Sequence, residues 1–323
     1  MKQIMLVLFI ITLVSPIYAQ EENKLNPTVY LRDENKANSR TNSEDQLLWL
    51  PLEAGGSASV SLLEAAIINE QAVKLGLEKH FGEAVMLFQK ALIIEPTSVS
   101  INYNLAAALN SAGRYDEAIR GFRHLIKIKP EFAKAHLGLG NALFHAERYE
   151  ESISAFQRAV QLEPQNFIMV RNLGISLFNT QNYRQALETF DSAIKLEPDR
   201  ADIHNDRGAV LYVLGRFKEA VESLQRAIAL MPALADAHNN LGIVFAKLGK
   251  KKQAHKCYLE AVKLRPDWNY AQYNLSLSFH ARNDRNDALK HFNILKQLDA
   301  KLAEQLRKQL YESYILDASK IQN

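Results

Sequence analysis

The chain has 323 residues, of which 47% are hydrophobic and 23% are charged, and its formal net charge is +3. These proportions exclude a largely disordered chain and are typical of a folded protein. A nucleic-acid-binding protein needs a basic stripe along its surface, but residues 61–249 hold 20 basic and 21 acidic groups. We therefore expect no nucleic-acid partner.

The first 19 residues have the layout of a secretory signal peptide. Lys2 precedes an apolar run from Ile4 to Val14, and Ala19 offers a cleavage site. The run is about 11 residues long, whereas a membrane-spanning helix needs about 20. We expect cleavage after Ala19 and export to a periplasm or out of the cell. The alternatives are a eukaryotic secretory lumen and an uncleaved signal that anchors the protein.

Residues 20–60 carry four basic and seven acidic groups and are rich in Asn, Glu and Ser. Such a composition buries too little apolar surface to offset the entropy lost on ordering, which predicts a disordered leader. LLWLPL at residues 47–52 breaks this pattern with Trp49 and four leucines. Two interpretations stay open: the motif folds back as a lid on the folded region that follows, or it binds a partner.

A period of 34 residues governs the chain from about residue 65. Counted from residues 65, 99, 133, 167, 201, 235 and 269, positions 8 and 20 are small, position 17 is mostly aromatic and position 24 is bulky. Proline ends the first six units, because it lacks the N–H that a continuing helix needs. The pattern predicts two packed helices in each repeat. The recurring prolines are Pro96, Pro130, Pro164, Pro198, Pro232 and Pro266.

The last part of the chain reads as a cap on the array. We predict seven repeats over 61–302, followed by a capping helix and tail over 303–323. Leu302, Leu306 and Leu310 form a stripe at helical spacing that is suited to cover the last repeat.

Two segments, NYNLAAALNSAGRY and YDEAIRGFRHLIKIKP, resemble the first and second helices of the tetratricopeptide repeat family. The resemblance implies an all-α solenoid that coils into a right-handed superhelix. It also implies that the first helices line a concave groove that binds an extended peptide. Three residues depart from the family pattern: Gln71 and Arg207 replace leucine, and Ala300 replaces proline.

Position 6 is similar to the asparagine ladder of the O-linked GlcNAc transferase family, which grips a peptide backbone. A carboxamide offers both a donor and an acceptor to a peptide group. The alternative is that these asparagines only tie helices together. The polar members of the column are Asn104, Asn172, Asp206, Asn240 and Asn274, with Gly138 as an interruption. The resemblance places further groove residues at Tyr103, Asn141, Arg171, Phe178, Asn205, Tyr212, Asn239, Lys247 and Tyr273.

Other sites known in such arrays are disfavoured by the sequence. A clamp for chaperone tails needs a lysine at position 5, and no repeat has one. His136, His204 and His238 share position 4, which we interpret as packing, since a metal site needs three or four converging ligands. Cys257 is the only cysteine; we interpret its thiol as structural and expect no cofactor.

We predict that the protein is not an enzyme, because no nucleophile with its base and no pair of carboxylates stands out. Instead the sequence favours an exported adaptor or scaffold that binds an extended peptide or a partner protein in its groove. The alternative is a structural scaffold of the cell envelope that assembles with itself. Residues 250–308 hold 13 basic and six acidic groups, and Lys250–Lys252 lie at their start. A weak contact of this end with an anionic surface is a further interpretation.

Overall fold

The structure, a computed structural model, describes the backbone of residues 60–321 and the side chains of residues 62–310. The expected signal peptide at 1–19 lies outside the described residues. So does the expected leader up to residue 59, including LLWLPL at 47–52.

The described residues form fifteen helices and no strand, so the fold is all-α, as predicted. The first helices of the seven repeats are α1 (Val60–Leu77), α3 (Val99–Ser111), α5 (Ala133–His145), α7 (Phe167–Asn179), α9 (Ala201–Val213), α11 (Ala235–Lys247) and α13 (Asn269–His280). The second helices are α2 (Phe81–Ile94), α4 (Tyr115–Ile128), α6 (Tyr149–Leu162), α8 (Tyr183–Leu196), α10 (Phe217–Leu230), α12 (Lys251–Leu264) and α14 (Arg285–Leu298). The last helix is α15 (Ala300–Ile321).

The chain divides into two compact units, one ending at Thr189 and the other beginning at Phe190, so the boundary falls within α8. From α1 to α7 in the first unit, and from α9 to α15 in the second, each helix packs against the next along the chain. First helices of consecutive repeats also touch within each unit. Among the described residues, no helix is long and apolar enough to cross a membrane.

Each repeat closes around a small residue at position 8 and a bulky residue at position 24. A Cβ atom added to Gly140 would lie 2.5 Å from the ring of Phe156, and one added to Gly242 would lie 2.6 Å from the ring of Tyr258. Both rings are almost fully buried. The large side chain at position 24 therefore occupies the space that a side chain at position 8 of the same repeat would need.

The turn inside every repeat uses one residue of left-handed backbone at position 15. Lys79 has a φ of 64°, and Gly113 has a φ of 76°. The amide N–H of the following residue then donates to a carbonyl of the first helix, as Arg114 does to the carbonyl of Leu109. This is a standard way of ending a helix. The equivalent residues in the other repeats are Glu147, Gln181, Gly215, Gly249 and Asn283.

The stripe predicted for the C-terminal helix packs over the last repeat. Leu302 and Leu306 are buried together with Tyr273 and Leu295, and Leu310 packs against this cluster. The helix break at Asp299 needs no proline. Its backbone is extended, and its carboxylate accepts the N–H of Leu302.

The other two departures from the family pattern have local explanations. Gln71 is exposed, so a polar side chain at this position loses no buried apolar contact. Arg207 donates from Nε to Oδ1 of Asp191 at 2.6 Å and is half-buried. An ion pair thus replaces the usual apolar contact of leucine.

Candidate functional site

Asparagine side chains link the first helices of consecutive repeats. In each link the residue at position 6 donates an Nδ2–H to an asparagine Oδ1 on the preceding first helix. The acceptor stands at position 5 in three links. In the fourth it is Asn141 at position 9, because position 5 of that repeat is Leu137, which has no acceptor. The pairs are Asn104 with Asn69 (3.1 Å), Asn172 with Asn141 (3.1 Å), Asn240 with Asn205 (2.9 Å) and Asn274 with Asn239 (2.8 Å).

These bonds lie where water has little access. Asn104 and Asn205 are fully buried, and Asn274 exposes only 5% of its surface. A buried hydrogen bond of this kind contributes about 1 kcal/mol, and a buried partner left unpaired costs about 1–3 kcal/mol. The position-6 asparagines therefore tie helices together. Contact between these side chains and a ligand stays a prediction.

Most of the fourteen predicted groove residues are packed between helices. Asn141 and Tyr212 are half-buried, and Lys247 is exposed. The other eleven are buried: Tyr103, Asn104, Arg171, Asn172, Phe178, Asn205, Asp206, Asn239, Asn240, Tyr273 and Asn274.

Several of the aromatic candidates have packing partners. The ring of Tyr103 makes edge contacts with Phe122 and Phe132 at centroid distances of 5.9 and 5.7 Å. Burial raises the pKa of Tyr103 to about 12, so its hydroxyl stays neutral. Tyr273 donates its hydroxyl hydrogen to Oε1 of Gln309 on the capping helix at 2.9 Å.

Aromatic pairs also close the turn inside three repeats. In these repeats the ring at position 12 packs against the ring at position 17. The pairs are Phe144 with Tyr149 (5.2 Å), Phe178 with Tyr183 (5.4 Å) and Tyr212 with Phe217 (5.8 Å). Phe178 and Tyr212, which were predicted to line the groove, thus stabilise the turns of their own repeats.

Gly138 interrupts the asparagine column for a steric reason. A Cβ atom at this position would come 2.4 Å from the ring of Phe122 in the preceding repeat. Phe122 is itself almost fully buried. An asparagine therefore does not fit there unless this ring moves.

Polar side chains at position 4 donate hydrogen bonds to proline carbonyls, which the sequence did not predict. His136 lies 2.8 Å from the carbonyl oxygen of Pro130, so its Nε2–H is the donor. Gln272 donates to the carbonyl of Pro266 at 2.7 Å in the same way. The equivalent pairs are Asn102 with Pro96, His204 with Pro198, and His238 with Pro232. The sequence signal for these bonds is that five of the seven repeats carry a polar residue at position 4.

The position-4 contacts join five of the six proline turns to the helix that follows. They account for the three histidines without a metal. In the part of the chain that the structure describes, no group of three or more His, Cys, Asp and Glu side chains is suited to hold a metal ion.

The surface formed by the first helices of one unit is called here the first-helix face, and its accessible part consists of half-buried residues. In the first unit Asn141 and Asn179 are half-buried, and Asn179 donates from Nδ2 to the carbonyl of Ile175 in its own helix. In the second unit Ala209, at the position equivalent to that of Asn141, is half-buried, and so is Asp236 at position 2 of the next repeat. Asp236 is paired with Arg265 at 2.9 Å. The face thus offers hydrogen-bonding groups beside small apolar surfaces.

Cys257 lies apart from these residues, at a shallow pocket of about 330 Å³ that also contacts His238, Leu241 and Lys256. The thiol is half-buried, and burial raises its pKa to about 11. It is therefore protonated at neutral pH and is a poor nucleophile.

Family models match the repeats directly. Tetratricopeptide repeat models match residues 103–167, 143–207 and 235–267, and a TPR repeat model matches residues 208–249. Together the matches span residues 103–267, about half of the chain. The chain belongs to the tetratricopeptide repeat superfamily. No curated protein matches its sequence.

Solved structures are similar to this tetratricopeptide chain in fold. A tetratricopeptide repeat protein from Parabacteroides merdae aligns at 13% identity with a TM-score of 0.66, over 78% of this chain and 100% of that one. The APC/C hetero-tetramer Cut9-Hcn1 gives 18% identity and a TM-score of 0.62, over 79% of this chain and 49% of its own. PilF of Pseudomonas aeruginosa gives 16% identity and a TM-score of 0.56, over 65% and 97% of the two chains.

These likenesses confirm the tetratricopeptide solenoid as the fold. Repeat arrays of this class present extended surfaces on which other proteins bind. As a member of this superfamily, the chain is a protein-interaction scaffold.

Proposed function

We propose that the protein is an exported adaptor that binds an extended peptide, or an extended segment of a partner protein, on its first-helix face. The observation that supports this most is the set of asparagine pairs. They join α1 to α3 and α5 to α7 in the first unit, and α9 to α11 and α11 to α13 in the second, which supports a regular spacing of the accessible positions on these helices. A recurring set of polar groups suits a ligand whose own polar groups recur, as the amides of an extended chain do.

Asn141 illustrates the chemistry available to a ligand. Its Oδ1 accepts the bond from Asn172, and within the described chain its two N–H hydrogens have no acceptor. A peptide carbonyl can accept from such a group. Contacts of this kind recognise the backbone, so they supply affinity without fixing the sequence of the partner.

Site-specific crosslinking tests the proposed face. Ala209 on α9 is half-buried on this face, and Ala229 on α10 of the same repeat is exposed at a second-helix position. A photoreactive amino acid is placed at residue 209 or at residue 229 of the full chain, in the cells that make the protein. We expect a discrete adduct from residue 209 that residue 229 does not give. Equal labelling from both positions would contradict a site on the first-helix face.

A blocking substitution provides a second test that leaves every described hydrogen bond in place. Ala209→Arg adds bulk to the face, and Ala229→Arg adds the same charge elsewhere in the repeat. Arginine is a good helix former, so both variants should fold. We expect Ala209→Arg, and not Ala229→Arg, to fail to co-purify with the partner identified by crosslinking through residue 209. Retention of that partner by a folded Ala209→Arg variant would argue against the face.

Export is part of the proposal and rests on residues 1–19. The test is N-terminal sequencing of the protein isolated from its own cells. A mature chain that begins at Gln20 in an exported fraction supports cleavage after Ala19. A chain that keeps Met1 in the membrane fraction supports the anchored alternative, and an uncleaved chain inside the cell rejects export.

Self-assembly is a second candidate, and exposed apolar residues on the first repeat favour it. Ile67 at position 3 exposes 48% of its surface, and Leu63 exposes 58%. Position 3 is fully buried in the other six repeats. On α2, Met86 and Ile93 expose 56% and 81%. The first repeat therefore exposes apolar side chains at the end of the array, and such a surface is suited to bind a partner.

We propose that residues 47–52 of a second copy cover this end. Light scattering over a range of concentrations should then give a mass above the monomer for the wild type and a monomer for Ile67→Glu. Leu289→Glu on α14 is the matched control, because Leu289 exposes 57% of its surface and should leave assembly unchanged. A wild type that is monomeric throughout would reject the candidate. If Trp49 is then shielded from water, the leader instead folds back on its own chain.

A further inference from the structure

The turn between α11 and α12 carries exposed lysines without carboxylate partners. Lys247, Lys250, Lys251 and Lys252, called here the lysine turn, are all exposed. Across residues 62–310, none of the four takes part in an ion pair. Four cations on six residues repel one another, so their clustering is unfavourable unless an anion is present.

The same turn in other repeats is neutralised by an internal ion pair. In three repeats an arginine at position 16 donates two hydrogen bonds to a glutamate at position 19. These pairs are Arg114 with Glu117, Arg148 with Glu151, and Arg216 with Glu219. The lysine turn has Lys250 and Gln253 at these positions, so the carboxylate is missing and the cation remains.

The aromatic closure of the turn is also lost in this repeat. Positions 12 and 17, which carry packed rings in three other repeats, are Ala246 and Lys251 here, and both are exposed. Two independent stabilising contacts have therefore been replaced within one turn, and Lys251 takes the place of an aromatic ring.

The lysines also stand at an unfavourable end of a helix. Lys251 and Lys252 open α12, where the helix dipole is positive and favours acidic side chains. Five of the six other second helices carry an Asp or Glu in their first turn, and α12 carries none. A turn that gives up local stability in several ways at once is typical of a binding site.

We propose that the lysine turn binds the anionic headgroups of a phospholipid surface. Lysine acts as a flexible point charge that meets phosphates without a fixed geometry. Leu248, between Lys247 and Lys250, exposes 37% of its surface. An exposed leucine flanked by cations suits contact with the apolar part of a membrane interface, whereas an acidic peptide gives no reason for it.

Vesicle binding tests this site. The protein is taken as it is isolated from its cells and mixed with phosphatidylcholine vesicles, with or without phosphatidylglycerol. Lys250, Lys251 and Lys252 are changed to glutamine in one variant. The control variant changes Lys90, Lys127 and Lys195 to glutamine, three exposed lysines on other second helices. Both variants lose the same charge, and both leave Lys247 and the proposed peptide face intact.

We expect the wild type to bind the anionic vesicles and not the neutral ones, with weaker binding at high salt. Each lysine near an anionic surface should contribute about fivefold in partitioning, so the turn variant should lose roughly a hundredfold. The control variant should lose far less. Equal loss in the two variants, or no binding by the wild type, would overturn the proposal. Binding of soluble polyglutamate in place of vesicles would overturn it in favour of an acidic protein partner.

A single substitution separates binding from folding. Lys252→Glu places a carboxylate at position 18, where Asp116 and Glu150 stand in other repeats. We expect a higher melting temperature, because the charge then suits the helix dipole, together with at least tenfold weaker binding to the anionic vesicles. If the variant is stabilised but binds vesicles as well as the wild type does, the lysine turn does not contact the membrane.

Discussion

Asn240 on α11 donates its Nδ2–H to Oδ1 of Asn205 on α9 at 2.9 Å. Both side chains are buried, Asn205 completely. A side-chain hydrogen bond thereby joins two first helices whose paired residues are 35 positions apart in the chain. The position-6 asparagines are therefore part of the packing between repeats, and we expect their removal to lower the stability of the protein.

Asn240→Ala and Asn205→Ala should each lower the free energy of unfolding by about 1–3 kcal/mol, because each leaves a buried partner without this bond. The double variant should lose less than the sum of the two, since the shared bond is removed only once. Urea unfolding of the four proteins measures the coupling. Additive losses, or single losses below about 0.5 kcal/mol, would show that the pair contributes little.

Gly140→Ala should destabilise the protein by about 1–3 kcal/mol, because the new Cβ meets the buried ring of Phe156. Gly82→Ala is the matched control. It lies in α2 with no heavy atom within 4 Å of the added carbon, and it should stabilise by up to about 1 kcal/mol through helix propensity. Thermal unfolding decides between them. A Gly140→Ala variant as stable as Gly82→Ala would mean that the repeat has room to relax.

His136→Ala should lower stability by about 1 kcal/mol, since the carbonyl of Pro130 loses its donor. His136→Gln should restore most of this loss, because Gln272 makes the same bond to the carbonyl of Pro266. Chemical denaturation of the two variants gives the comparison. If glutamine and alanine are equally harmful, shape at position 4 matters more than the hydrogen bond.

Acidic pH should weaken the last repeats. His255 lies near Ser278 and packs its ring on Phe279, and His291 donates to Gln272 at 2.7 Å. Burial holds the pKa of both histidines below the ordinary value of 6.5. The folded protein then binds these protons less readily than the unfolded chain does, so stability falls as the pH drops below about 6.5.

Neighbouring charges modify this effect without reversing it. Arg282 lowers the pKa of His255 further, whereas Asp284 and Asp287 raise it. Lys290 lowers the pKa of His291, Asp287 raises it, and His255 lowers it. Melting temperatures measured from pH 8 to pH 5 should fall for the wild type and fall less for a His255→Gln and His291→Gln double variant. Parallel curves would place the acid sensitivity elsewhere.

Much of the fold was readable from the sequence because its determinants are local. Proline ends a helix through its own missing N–H, and small and bulky residues recur at positions fixed by helical geometry. Helices accordingly begin at residues 99, 133, 167, 201, 235 and 269, the predicted repeat starts. The stripe of Leu302, Leu306 and Leu310 was visible for the same reason.

What each polar side chain does was decided by the tertiary structure. The sequence left open whether the position-6 asparagines bind a ligand or tie helices, and only the distance between two first helices shows the bond from Asn240 to Asn205. The contact of His136 with Pro130 and the exclusion of a side chain at Gly138 likewise depend on groups that folding brings together. Periodicity fixes which residues share a position, because it follows from bond geometry along one helix. Hydrogen-bond partners depend on the spacing between helices, which exists only after the repeats have packed.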